Sequence, residues 1–124
     1  PDFDIDDEWY YGMRFVDPPQ GLTPLLQAVP PDGTRVTSET MAHPGRSETT
    51  AWGFERPNGG RSFGFTGGHW YGNWTDSPDT PHAPKQRRVV VNGILWTAGV
   101  AIPDGGAPVA IDAADAGRYL DKRP

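Results

Sequence analysis

One stretch gathers most of the side chains with chemistry to offer: Arg61 to Trp74, RSFGFTGGHWYGNW. His69 has an ordinary pKa of about 6.5, so its imidazole can take or give a proton near neutrality. Four residues on, Asn73 carries an amide that can hold a hydroxyl. Trp70, Tyr71 and Trp74 supply flat apolar faces on which a ring can stack. Gly67 and Gly68 allow the sharp turn that throws these groups onto one loop. A proton-transfer group, an amide and three aromatic rings together make a candidate ligand site.

A second aromatic cluster, Trp9-Tyr10-Tyr11-Gly12-Met13-Arg14-Phe15, lies near the start of the chain. It reads either as a sugar-stacking surface or as a strand packed on the core. Glu8, Tyr11 and Arg14 are its candidate ligand contacts.

These groups need a scaffold. The preceding residues Arg61–Thr66 form an apolar strand, and Ala51–Arg56 form another. The four residues between them, Pro57-Asn58-Gly59-Gly60, predict an antiparallel hairpin. Thr23–Val29 predict a short strand that tolerates Pro24 near its start. Thr34–Thr50 are polar and without periodicity, which predicts a surface loop holding a solvated His43. After a polar, proline-containing insert over Thr75–Ala83, Pro84 suits the first turn of a helix. The helix is expected over Lys85–Ala98, with Val90, Val91, Ile94, Leu95 and Ala98 on its buried face and Gly99 ending it. A short helix capped by Asp112 and running through Leu120 closes the chain.

Composition narrows the function. The 124 residues suit one small domain, and the net charge of −5 argues against a general nucleic-acid binder. With no cysteine, disulfides, thiolate metal sites and a cysteine nucleophile are excluded within these residues. No apolar run approaches the ~20 residues of a membrane span. The three histidines show no ligand-like spacing, so no metal site is expected. The chain opens at Pro1 on an alternating acidic segment, and it is expected to be part of a longer protein. Cytoplasm and periplasm both stay open.

Four blocks in order, DEWYYGMRF, AWGFERPNGGRSFGFTGG, HWYGNW and RRVVVNGILWTAGVAIP, resemble the ThuA-like (trehalose-utilisation) family. The resemblance runs from about Asp7 to the YLDKRP end. It implies an α/β fold, a flavodoxin-like or class I glutamine-amidotransferase-like sheet that is mostly parallel with helices on both faces. Residues 1–106 would be the C-terminal part of that single domain, and 107–124 an extension packing on or trailing from it.

The implied function is bacterial carbohydrate catabolism, acting on trehalose-like disaccharides or their 3-keto derivatives as a lyase, hydrolase or isomerase. His69 would be the catalytic acid/base. Asn73, Trp70, Trp74, Tyr71, Glu8, Tyr11 and Arg14 would bind substrate, with no metal and no cofactor. The alternative is a non-catalytic carbohydrate-binding domain using the aromatic loop. Amidotransferase chemistry is not expected, because Tyr71 stands where those relatives need an acid. A second histidine is common at Tyr71 in the family, and the Thr75–Ala83 insert is longer than usual. The expected partner is a small-molecule sugar, with neither nucleic acid nor membrane, and with room for a homo-oligomer.

Overall fold

The computed structural model describes residues 7–16, 20–67 and 83–110. They form a small mixed α/β unit. Three strands, β1 (Leu22–Ala28), β2 (Glu48–Glu55) and β3 (Arg61–Phe65), pair antiparallel in the order β1-β2-β3. A one-turn helix α1 (Ser38–Met41) lies between β1 and β2, and a long helix α2 (Ala83–Thr97) follows β3.

The β2–β3 hairpin forms as its sequence predicts, with Gly59 at φ 82° in the connecting turn. Only glycine adopts that backbone without strain. β1 forms too, but its edge is blunted. Pro24 cannot donate to a ladder, and the register slips between Pro24 and Leu26. All the described pairing is antiparallel; the parallel strands that the resemblance implies are not among the described residues.

By register, Ala51 and Gly53 of β2 share a face with Phe65 and Phe63 of β3, and α2 packs there. The helix forms where its proline and glycine signals put it, with Pro84 in the first turn. Its end is a Schellman motif: Val100 N–H donates to Leu95 O at 2.9 Å and Gly99 N–H to Trp96 O at 3.1 Å. Gly99 takes φ 71° there.

The buried face differs from the expected one. Ile94 is 59% exposed and Ala98 is exposed, while Gln86 and Gly93 are buried and Val89 and Trp96 look toward the sheet. The reason is steric. A Cβ on Gly93 would stand 2.5 Å from the Phe63 ring, and one on Gly53 would stand 3.3 Å from the Trp96 ring. The two glycines let helix and strand approach closely, and that contact sets the rotation of α2 more strongly than the spacing of Val90, Val91, Ile94 and Leu95 does.

The expected loop over Thr34–Thr50 is more ordered than its polarity implies. Asp32–Thr34 make a 3-10 turn, and β2 begins three residues earlier than read, at Glu48. Thr37 caps α1 in a reciprocal box with Thr40, each hydroxyl serving the other residue's backbone N–H at 3.2 Å. Arg35, Thr40, Glu48 and Thr50 are all buried. Satisfied polar groups, not apolar ones, hold this region, which is why hydrophobic periodicity did not reveal it.

Candidate functional site

The aromatic segment near the N-terminus docks at the far end of β3. Trp9 makes an isolated antiparallel bridge with Gly67, and Tyr10 N–H donates to Thr66 O at 3.3 Å. The Trp9 ring meets Phe65 edge to face at 5.2 Å between centroids. Farther along, the Phe15 ring meets Trp52 edge to face at 5.1 Å on the opposite side of the sheet. Segment 7–16 therefore touches both faces: the Trp9 and Phe15 rings pack against rings of the sheet, while Tyr10 stays 53% exposed.

The start of α2 joins the same corner. Gln86 is fully buried and donates from Nε2 to Asp7 Oδ2 at 2.9 Å, while Asp7 Oδ1 accepts Glu8 N–H at 2.7 Å. The Asp7 carboxylate accepts this bond, so the Gln86 amide turns its nitrogen toward Asp7. Its Oε1 is then left buried without a partner among the described residues. Asp7, Trp9, Gly67 and Gln86 thus converge at the last described residue before His69.

Beside this corner lies a cleft of about 300 Å³ between the aromatic segment and the β1–β2 side. Trp9, Tyr11, Pro30, Pro31, Glu48 and Thr50 are among its walls. Tyr11 is held rigidly: its hydroxyl donates to Thr34 O and lies 2.8 Å from Thr34 Oγ1. The Arg35 guanidinium stands 5.8 Å from the centre of its ring.

Glu48 anchors the floor. Its Oε1 accepts from Arg35 Nη1 at 3.0 Å and from Arg46 Nε at 2.9 Å. Arg35 in turn bonds Asp32 Oδ1 and Arg46 O, and Arg46 bonds both oxygens of Glu39. Burial pushes the Glu48 pKa up, but the hydrogen bonds from Arg46 and Arg35 outweigh it, and the carboxyl is held below its ordinary value. The Arg46 hydrogen bond likewise lowers Glu39, and the Gly45 N–H lowers Asp32. All three are ionised at neutral pH.

A larger space of about 420 Å³ separates the sheet from α2, walled by Leu25, Leu26, Phe63, Val89 and Trp96. It is the less suited to a polar ligand. Asn92 Oδ1, on its rim, is already taken by Ala107 N–H at 2.9 Å.

Of the residues singled out by sequence, Tyr11 lines the cleft, while Glu8 is exposed and is not among its walls. Arg14 is exposed and is not among the cleft walls. His69, Trp70, Tyr71, Asn73 and Trp74 lie outside the described residues, as does His82. His43 is half exposed, 3.8 Å from Glu39, and belongs to the surface as expected.

Trp9, Thr50 and above all Glu48 were not anticipated as site residues. The available signal was weak: opposite charges at Arg35, Arg46 and Glu48 flanking a strand start. Among the described residues no group of three or more His, Cys, Asp or Glu could hold a metal ion, and no helix is long and apolar enough to cross a membrane.

Comparison with known proteins adds no relative. No family model matches the chain, and neither a curated protein nor a solved structure gives a significant match.

Proposed function

We propose that this protein acts in carbohydrate catabolism, binding trehalose-like disaccharides or their 3-keto derivatives at the end of β3. The supporting observation is the Trp9–Gly67 bridge, which brings the aromatic segment of residues 7–16 against the last described residue before the histidine-bearing loop. The order of the four ThuA-like segments supports the substrate class. The antiparallel hairpin followed by α2 would be the late part of a larger flavodoxin-like α/β sheet, and self-association belongs to the same proposal.

In this reading His69 is the acid/base for a lyase, hydrolase or isomerase step, a role its ordinary pKa suits. Asn73 orients a hydroxyl, and Trp70, Tyr71 and Trp74 stack on the sugar. Glu8 and Tyr11 contribute from the docked segment, and Arg14 from its exposed end. The test is turnover of a 3-keto-disaccharide by the purified protein and its His69→Ala variant. A loss of about a hundredfold in kcat/KM is expected for general acid/base removal. Undiminished turnover removes His69 from the mechanism.

A non-catalytic carbohydrate-binding role is the second reading. It is favoured by the state of Glu48, whose proton affinity is suppressed by two arginines. A carboxylate so held accepts hydrogen bonds but makes a poor proton shuttle at neutral pH. Calorimetry showing saturable disaccharide binding, with no product formed, selects this reading.

A further inference from the structure

We infer that the cleft under Trp9 and Tyr11 is a subsite for one neutral sugar ring, with Glu48 Oε2 accepting its hydroxyls. The inference rests on the carbohydrate reading above and adds to it a location, a ring count and a recognition group.

Glu48 carries the inference. Its side chain is only 6% exposed, and both arginines bond the same oxygen, Oε1. Oε2 accepts from neither, and it is not among the buried atoms left without a partner. A carboxylate oxygen that takes no hydrogen bond from the described residues, on a residue lining a cleft, is an acceptor presented to whatever enters. Being ionised, it can receive only donors.

Charge narrows the ligand further. Glu48 is flanked by Arg35 and Arg46, with Asp32 and Glu39 on the outer sides of those arginines. Three carboxylates against two guanidinium groups leave the floor with one net negative charge, most of it balanced, so it disfavours anions. Neutral hydroxyl groups match it best.

The walls supply the apolar half. Tyr11 is fixed by its bonds to Thr34, so its ring is ordered before any ligand arrives. Trp9 is fixed by its bridge and by Phe65. Two held aromatic rings, a pair of prolines and one buried acceptor suit the two sides of a sugar, its C–H face and its hydroxyl edge. At about 300 Å³ the cleft is at the small end for ligand sites, which fits one ring. The second ring of a disaccharide would then lie toward Gly67.

Calorimetric titration of the purified protein with trehalose and with glucose tests this. Trp9→Leu and Glu48→Gln are expected to weaken trehalose binding at least tenfold and to weaken the lower glucose affinity as well, since each sugar places one ring in this cleft. In Glu48→Gln the amide oxygen serves the arginines and the nitrogen faces the cleft, turning an acceptor into a donor. Should either variant lose its melting transition, Tyr11→Phe carries the test. It keeps the ring, loses the Thr34 tether, and is expected to weaken trehalose about threefold. Folded variants that bind trehalose as the wild type does overturn the subsite and leave the carbohydrate reading intact. A wild type that binds neither sugar overturns both.

Discussion

Glu48→Ala is expected to destabilise the protein by about 3–4 kcal/mol in urea denaturation, the largest stability effect of any single substitution at the site. The carboxylate is the only group among the described residues that bridges Arg35 to Arg46. Arg35 has a side chain 1% exposed, so removing Glu48 leaves a buried guanidinium with only Asp32 and the Arg46 carbonyl to compensate it. Breaking a buried pair from one side costs more than the pair contributes, because the desolvation cost of the remaining charge stays. Arg46 is 35% exposed and can turn to solvent, so Arg46→Ala should lose much less. Equal losses in the two variants would show that the buried Arg35 charge does not set the cost.

The same network fixes the sign of the acid response. Glu48, Glu39 and Asp32 all have folded pKa values below their ordinary ones. Their contribution to stability is complete above the ordinary carboxylate range. It falls away as pH drops through that range toward the lower folded values, where the native state also takes up protons. Melting temperature should therefore decline below about pH 5 in the wild type, and more shallowly in Glu48→Ala.

Gly93→Leu is expected to cost about 3 kcal/mol, against a helix-propensity gain of about 1 kcal/mol that would make it stabilising on an open helix. The sign depends on one contact. A Cβ at position 93 meets three atoms of the Phe63 ring at 2.5–2.7 Å, and real Cβ atoms do not approach that closely. The nearest of those atoms is Cγ, the root of the ring, which a turn of the side chain moves little. The double variant Phe63→Ala, Gly93→Leu should recover more than 1 kcal/mol relative to additivity, as two residues competing for one space do. A stabilised Gly93→Leu single variant would mean that α2 does not rest on β3.

How much of this was legible depended on what holds each element together. The hairpin was legible because Pro57-Asn58-Gly59-Gly60 sits between two apolar runs, and local turn chemistry decides such a unit. The ends of α2 were legible for the same reason, from Pro84 and Gly99. Its buried face was not, since Gly93 has no hydrophobicity to reveal it and its role appears only opposite Phe63. The ordered region from Asp32 to Glu48 was hidden more deeply. Its residues are those of a loop by type, and only the pairing of Arg35 and Arg46 on one carboxylate turns them into a buried floor.

For the candidate site, Tyr11 was found because aromatics announce themselves. Glu48 was missed because nothing local marks a glutamate that faces a cleft formed by a segment some forty residues earlier.

The central claim is that the aromatic segment and the end of β3 together form a sugar site. Chemical-shift mapping during a trehalose titration tests it most directly. The account predicts saturable shifts at the Trp9 indole N–H and at the backbone amides of Thr50, Thr66 and Gly67, with Gly93 and Trp96 unmoved. Shifts confined to the α2 side of the sheet, or none at saturating sugar, would contradict it.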